Sequence, residues 1–326
     1  MKPKENLLRA IRRDRPAWVP EGLDGPVYLA NVATIGSPVV ERPDGAPGRD
    51  GFGVQWSLLE HAEGGTFPAA GGHTIHDIGD RHRELVVPVV ADQDWDRVRT
   101  EAGEVDRDES LVMGFVEMGL FERSYLLLGM EEALVAYLTH PRQMYELLGV
   151  IADYKIELIT KFHEAAGLDM VWYGDDWGTQ TSLFIPADAW RRTIKPHLKR
   201  IYDCMRRLGI LINQHSCGKI DSIFADVVEL GADLWNPCQP CNDLAAMKRS
   251  YGDRIAFHGG IDSQFVLDRP GVTADEVRAE ARRVIDTLAP GGGYVAGPSH
   301  HVPRDPRLLA ALRDEVVTYG RAFYAD

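Results

Sequence analysis

The chain has 326 residues, of which 44 % are hydrophobic and 26 % are charged, as is ordinary for a folded protein. Its net charge of −13 argues against a nucleic acid or an anionic membrane as its partner. No apolar run approaches the roughly 20 residues that a membrane helix needs, and four cysteines are too few for a disulfide framework. The basic amino terminus lacks the apolar core of a secretory signal, so we expect a cytoplasmic protein with reduced thiols.

The first part of the chain is predicted to be a cap. Lys4 to Arg13 has the spacing of a short amphipathic helix, with its leucines facing inward. The segment from Pro16 to Asp80 is rich in Gly and Pro and too long for a connector, which indicates a lid or cap. We expect a strand from Glu84 to Val90 and a helix from Asp92 to Arg99. The predicted division is a cap over residues 1–84 and a main domain over residues 85–326.

After residue 110, buried strands alternate with helices in six units. The predicted strands lie at 111–117, 170–173, 210–214, 233–236, 255–258 and 294–296. The predicted helices lie at 131–166, 186–208, 221–230, 243–251, 273–288 and 307–324. Such alternation is typical of a parallel sheet, and six units plus one or two from the first 110 residues predict a (β/α)8 TIM barrel. A doubly wound open sheet is the alternative, disfavoured because no G-x-G-x-x-G or P-loop follows the first strand.

Residues that follow the strands of a barrel converge on one mouth, where such enzymes place their chemistry. The carboxylates expected to act in catalysis are Glu117, Asp175 and Asp176. The side chains expected to contact substrate are Trp177, Asn236, Gln239 and Asp262. Because Asp175 and Asp176 are adjacent, an extended segment directs one into the cavity and leaves the other to hydrogen-bond backbone.

His215 and Cys217 carry the clearest chemical signal. They lie two residues apart at the end of a predicted strand, so both side chains point to the same side. Neutral imidazole and thiolate are ligands that zinc prefers, although H-x-C by itself is a common pattern. A third ligand is needed, and His300 or His301 after the last strand supplies it most economically. Cys238-x-x-Cys241 lacks a second such pair, so these thiols are expected to be structural.

Several motifs together resemble the uroporphyrinogen decarboxylase superfamily from about Leu111 to Tyr324. They are Gly174-Asp175-Asp176-Trp177-Gly178, His215-Ser216-Cys217-Gly218, Asn236-Pro237-x-Gln239-Pro240, Phe257-His258-Gly259-Gly260-Ile261-Asp262 and Gly291-Gly292-Gly293-Tyr294 running into Pro298-Ser299-His300. The resemblance implies a (β/α)8 barrel. It also implies one of two chemistries, decarboxylation of uroporphyrinogen without a cofactor or zinc-dependent methyl transfer between a small molecule and a corrinoid protein.

Two departures from the decarboxylases point to the methyltransferase branch. The decarboxylases carry an early stretch of the type Met-Arg-Gln-Ala-Gly-Arg, whereas residues 18–25 contain no arginine here. They also lack His-x-Cys, which supplies two of three zinc ligands in the methyltransferases. One departure points the other way, because the third ligand in those methyltransferases is a Cys near the last strand, where this chain has Ser299-His300-His301. We predict His215, Cys217 and His300 as the zinc ligands.

The expected function is therefore methyl transfer from a small methylated compound, with a methoxylated aromatic as the first donor to test. The acceptor is the corrinoid of a separate protein, because this chain has no Asp-x-His-x-x-Gly corrinoid signature. A uroporphyrinogen decarboxylase and a non-catalytic binding barrel remain as alternatives. The sequence leaves the oligomeric state open, with a homodimer as one option.

Overall fold

A computed structural model describes residues 1–23, 29–59 and 65–325 of the chain. Its main sheet has seven parallel strands, which pair with one another in the order in which they occur in the chain. These strands are β1 (Val32–Gly36), β5 (Leu111–Val116), β6 (Met170–Gly174), β7 (Leu211–His215), β8 (Leu234–Asn236), β9 (Ala256–Ile261) and β10 (Tyr294–Pro298). A separate antiparallel sheet contains β2 (Gly48–Arg49), β3 (Gln55–Leu58) and β4 (Thr66–Pro68).

The α-helices of the described residues surround this sheet. They are α1 (Pro3–Arg12), α2 (Arg81–Glu84), α3 (Trp95–Gly103), α4 (Leu120–Leu128), α5 (Met130–Thr139), α6 (Pro141–Ala166), α7 (Ala187–Thr193), α8 (Lys195–Arg207), α9 (Asp221–Leu230), α10 (Leu244–Tyr251), α11 (Ala274–Leu288) and α12 (Pro306–Ala322). None of these described helices combines the length and apolarity that a membrane crossing requires. A capping box formed by Thr273 and Glu276 begins α11.

An extended segment near the amino terminus joins the two edges of the main sheet. The backbone N–H of Ala296 in β10 donates to Pro20, and that of Gly22 donates back to Ala296, both at 2.8 Å. On its other side, the N–H of Ala30 donates to Glu21 at 3.0 Å, just before β1 begins. Six strand–helix units, β1 and this segment therefore form the TIM-barrel-like α/β fold that the alternation predicted.

The segment expected to be an irregular cap contributes to the barrel itself. Residues 32–36 form β1, which pairs with β5, so the barrel does not begin at residue 85. The strand predicted from Glu84 to Val90 is wrong, because α2 ends at Glu84 and no strand follows before α3. Of the segment compared with the decarboxylase arginines, residues 24 and 25 lie outside the described part of the chain.

Two helices predicted as single are divided by proline. The predicted helix over 131–166 is interrupted at His140, and Pro141 begins α6. The predicted helix over 186–208 is interrupted at Ile194, and Pro196 lies in the first turn of α8. Proline lacks the N–H that a continuous helix would use there, so a new helix begins instead.

Alternation along the strands sorts the core into two layers. Met113, Met170 and Trp172 pack inside the barrel, together with Leu7 and Ile11 of α1. The neighbouring residues of each strand point outward and join the larger cluster beneath the helices. The interior is therefore filled by side chains, and α1 contributes to it.

Four buried charges tie the amino-terminal segment to the barrel helices. Arg123 of α4 donates to Asp50 at 2.6 Å and to Glu41 at 2.8 Å. The ammonium of Lys155 in α6 contacts Glu41 at 2.7 Å. The side chains of all four are at most 2 % exposed. Because each charge is buried, each needs its partners, and residues 41–50 are held against α4 and α6.

We expect Arg123→Met to lower the free energy of unfolding by about 3–5 kcal/mol, since it leaves Asp50 buried without its cation and Glu41 with Lys155 alone. The matched control is Arg142→Met on α6, where Arg142 is 88 % exposed and pairs with Glu146; its loss is at most about 1 kcal/mol. Urea unfolding followed by circular dichroism measures both. Equal losses would contradict a structural role for the buried charges.

Candidate metal and substrate site

Three potential ligands lie together at the carboxyl ends of β6 and β7. Nε2 of His215 lies 3.5 Å from Sγ of Cys217 and 3.4 Å from Oδ1 of Asp176. The ligand atoms of the three side chains are all within 4.8 Å of one another. The predicted pairing of His215 with Cys217 is thus present in the geometry. Asp176, which was predicted to act in catalysis, provides the third potential ligand of the cluster.

The orientation of His215 is determined by amide side chains inside the barrel. Nδ1 of His215 lies 2.6 Å from Oδ1 of Asn236, and Nδ2 of Asn236 donates to Asn213 at 2.5 Å. Since Oδ1 only accepts, Nδ1 of His215 carries the proton and Nε2 presents its lone pair to Cys217 and Asp176. Asn236 is fully buried and supports the histidine, and its contact with substrate stays a prediction.

Glycines allow the two ligand-bearing loops to pack closely. A Cβ on Gly218, whose φ is +81°, would collide with the backbone of Gly178. A hydrogen bond of 2.7 Å from Lys219 N to Thr179 O joins the loops at this point. The N–H of Cys217 donates to Asp176 at 2.7 Å, which brings the carboxylate to the thiol. Gly178 and Gly218 therefore allow Asp176 to lie close to His215 and Cys217.

The two adjacent aspartates have separate roles, as the extended segment predicted. Asp175 is fully buried and accepts hydrogen bonds from the backbone of Phe121 and Glu122, in the first turn of α4. Burial raises its pKa to about 6. Its third donor is the indole of Trp177, at 2.8 Å. Trp177 is 2 % exposed, so its predicted contact with substrate is not supported, and Asp175 holds α4 and Trp177 in place.

The electrostatic environment of the cluster favours a cation. Burial and then the carboxylate of Asp176 raise the pKa of the Cys217 thiol. Burial and the neighbouring carboxylates Asp176, Asp175 and Glu117 raise the pKa of Glu122. These shifts share one cause, an excess of negative charge in a poorly solvated place, which a divalent cation would relieve. Glu122 was not predicted as a site residue, although its place in the first turn of α4, after β5, puts it near the mouth.

A cavity of about 300 Å³ opens beside the cluster, between the loops that follow β8, β9 and β10. Gln239, Asp262 and His300 line it, as predicted for residues at the mouth. Gln239 also accepts a hydrogen bond from Gly218 N at 2.6 Å, which links the cavity wall to the ligand-bearing loop. Among the described residues that line this cavity there is no Lys or Arg.

The sequence predicted His300 as the third ligand, but in the structure His300 does not belong to the cluster. In the described part of the chain, the only group of ligand atoms close enough to hold a metal is that of Asp176, His215 and Cys217. Nδ1 of His300 lies instead 2.9 Å from Nδ1 of His301. The physical reason is a competing contact, since the His300 ring is hydrogen-bonded to His301 while its backbone N–H donates to the Ser263 hydroxyl at 3.0 Å.

Glu117 lines a second cavity, of about 290 Å³, formed by residues of β1, of the segment that follows it and of β5. Its carboxylate lies 3.8 Å from the guanidinium of Arg42, and burial raises its pKa. Phe115 lines the same cavity and stacks on Trp172, whose ring in turn lies 4.6 Å from that of His215. Glu117 thus lines a different cavity from the one beside the ligand cluster, although its charge contributes to the raised pKa of Glu122.

Comparisons with known proteins give two kinds of relative. The chain is 28 % identical over 188 residues to a uroporphyrinogen decarboxylase of Thioalkalivibrio sulfidiphilus, covering 55 % of this chain and 50 % of that protein. It is 30 % identical over 155 residues to the methylcobamide:CoM methyltransferase MtaA of Methanosarcina barkeri, covering 46 % and 42 %. The alignments thus span about half the length of these relatives.

The fold is shared with a solved methyltransferase from Methanosarcina mazei. The TM-score is 0.70 at 17 % identity, over 98 % of this chain and 99 % of the other. The family model for uroporphyrinogen decarboxylase (URO-D) matches residues 96–316, which is more than half of the chain. This chain belongs to the uroporphyrinogen decarboxylase family.

Proposed function

We propose that the protein is a zinc-dependent methyltransferase that moves a methyl group between a small methylated compound and a corrinoid protein. The observation that carries this proposal is the cluster of Asp176, His215 and Cys217, whose ligand atoms lie within 4.8 Å of one another. Cofactor-free decarboxylation has no need of a thiol and an imidazole in such proximity. Resemblance to MtaA, a methyltransferase by name, supports the same choice.

The chemistry of the three donors fits zinc. Imidazole, thiolate and carboxylate are its usual protein ligands, and a catalytic site leaves one position open for substrate. Asn236 fixes the tautomer of His215, as a carbonyl partner does for many metal-bound histidines. Bound zinc would supply Lewis acidity toward an oxygen or sulfur that carries or receives the methyl group. Asp176, His215 and Cys217 are the residues that would hold it.

The mouth cavity supports a small, weakly charged methyl donor. At about 300 Å³ it is at the lower end of the range for small-molecule sites. Uroporphyrinogen is a tetrapyrrole that bears several carboxylates, and such a substrate calls for cationic side chains. The described residues that line this cavity include Asp262 and Asp268 but no Lys or Arg. A methoxylated aromatic, with the corrinoid protein as acceptor, is the pair that we propose.

The remaining residues divide between substrate and support. Gln239 and Asp262 line the cavity and are the proposed substrate contacts. Asp175 and Asn236 are proposed to hold the cluster, because both are fully buried and engaged with protein partners. Glu117 has no proposed part in the transfer, since it lines the other cavity.

Zinc content tests the ligand assignment. We expect purified parent protein to carry stoichiometric zinc and His215→Ala, Cys217→Ser and Asp176→Asn to lose most of it. Asn236→Ala should weaken zinc binding by roughly 10–100-fold, because it releases the histidine without removing a ligand. Atomic emission and competition with a chelator measure both quantities.

The matched controls for this test are Cys241→Ser and His300→Ala. Both residues line the neighbouring cavity, so these variants should retain the metal. Parent protein prepared without chelator that holds no stoichiometric metal, or Cys217→Ser that keeps it fully, would refute the zinc site. Loss of zinc from His300→Ala alone would refute the choice of ligands.

Methyl transfer tests the reaction. Parent protein is expected to demethylate a methoxylated phenol only when a reduced corrinoid acceptor is supplied, and Cys217→Ser is expected to be inactive. The absorbance change of cob(I)alamin on methylation follows the reaction. The protein is not expected to release CO2 from uroporphyrinogen, and turnover at the rate of a true decarboxylase would favour that alternative.

A further inference from the structure

A chain of three ionisable side chains borders the mouth cavity. Nε2 of His301 contacts Oδ2 of Asp268, and Nδ1 of His301 lies 2.9 Å from Nδ1 of His300. All three residues line the cavity. The metal cluster does not use this arrangement, although the sequence predicted His300 as a zinc ligand.

The direction of each hydrogen bond determines how these three side chains can carry a proton. The carboxylate of Asp268 accepts from Nε2–H of His301, so Nδ1 of a neutral His301 is an acceptor. His300 must then donate from its own Nδ1, which leaves Nε2 as its acceptor or, when the ring is protonated, as its donor. Among the described residues, Nε2 of His300 has no hydrogen-bond partner in the structure, so it is available to a molecule in the cavity.

The backbone that carries the two histidines is held by a buried serine. Ser263, which is 1 % exposed, accepts from the N–H of His300 at 3.0 Å and donates to the carbonyl of His301 at 2.7 Å. Its own N–H donates to the Ser299 hydroxyl at 3.1 Å. The loops after β9 and β10 are thus clamped together, which places His300 at a defined position in the cavity wall.

The charged groups around His300 come from four loops. His301 follows β10, Asp268 follows β9, His215 ends β7 and Asp176 follows β6, and all four influence its ionisation. Burial and then the two neighbouring imidazoles lower the pKa of His300, while the two carboxylates oppose them. A protonated His300 therefore gives up its proton readily, and Asp268 stabilises the charge through His301.

We propose that His300 transfers the proton that balances methyl transfer, with His301 and Asp268 as positioning residues. This inference rests on the proposed methyltransferase function. In demethylation, the bond between the methyl carbon and oxygen breaks and its electron pair stays on oxygen. The oxygen takes the proton from Nε2 of His300, and the methyl carbon bonds to the reduced corrinoid acceptor, which supplies both electrons of the new bond. In the reverse direction His300 accepts the proton of the hydroxyl.

The proton donor narrows the class of methyl donor. A methyl ether leaves behind an alkoxide or phenoxide, which needs a proton, whereas a sulfonium or quaternary ammonium donor leaves a neutral group that needs none. A cavity that presents Nε2 of His300 and lacks Lys and Arg among its described lining therefore suits an uncharged ether. The assigned substrate class is a neutral methyl ether whose product carries a hydroxyl group.

Leaving groups of different basicity test this role. With cob(I)alamin as acceptor, we expect His300→Gln to slow demethylation of 2-methoxyphenol by roughly 10²–10⁴-fold, the usual contribution of a general acid. A nitro-substituted methoxybenzene releases a stable phenolate, so the same variant should slow its demethylation by less than roughly 10-fold. Asp268→Asn should show the same selectivity with a smaller loss, because His300 is retained. Equal losses for the two ethers would overturn the proposal.

Binding gives a measurement that does not depend on turnover. By calorimetry, His300→Gln should weaken the affinity for catechol, the demethylated product, by up to roughly 10-fold, because one hydrogen bond is lost. Affinity for methoxybenzene, which has no hydroxyl, should be unchanged, and so should the zinc content. If the parent demethylates neither ether, the methyltransferase function fails, and the calorimetry then tests only whether Nε2 of His300 contacts a hydroxyl group in the cavity. Equal catechol affinity in parent and variant, or loss of zinc from the variant, would refute that contact.

Discussion

The hydrogen bond between Nδ1 of His215 and Oδ1 of Asn236 is the interaction on which the site depends. It joins the ends of β7 and β8 and selects the tautomer whose Nε2 faces Cys217 and Asp176. Asn236 is oriented in turn by Asn213, and Trp172 donates to the same oxygen at 3.3 Å. A histidine at the end of a strand would otherwise have two ring orientations and two tautomers. In this barrel the buried amide of Asn236 selects one ring orientation and one tautomer. The lone pair of His215 Nε2 is therefore preorganised toward Cys217 and Asp176.

The buried charges of the amino-terminal segment explain why that segment cannot be treated as a detachable cap. Arg123 and Lys155 belong to helices that surround the barrel, whereas Glu41 and Asp50 belong to the first 50 residues. Neither pair of charges is tolerated in the interior without the other. The same segment supplies β1 to the sheet and part of the second cavity wall. The lining of the mouth therefore depends on residues far apart in the chain.

The family contains two chemistries, and the relatives include enzymes named for each. Residue types at the mouth distinguish them better than identity does. A polyanionic substrate would need cations, which the described lining of the mouth cavity lacks, while a metal needs the donors that Asp176, His215 and Cys217 bring together. The proposed methyltransferase function rests on this contrast. The alignments cover only about half of each relative and do not decide between the two.

The parallel barrel was predictable from the sequence, because strictly alternating strands and helices leave few other arrangements for a buried sheet. The sequence also placed His215 and Cys217 together, since residues two apart on a strand share a side. It could not decide which distant residue joins them. His300 and Asp176 both follow strands. Only tertiary contacts direct Asp176 toward the cluster and His300 toward His301. Pairing of β1 with β5, the burial of Trp177 and the hydrogen bonds of Asp175 likewise depend on contacts between residues far apart in sequence, which no local pattern encodes.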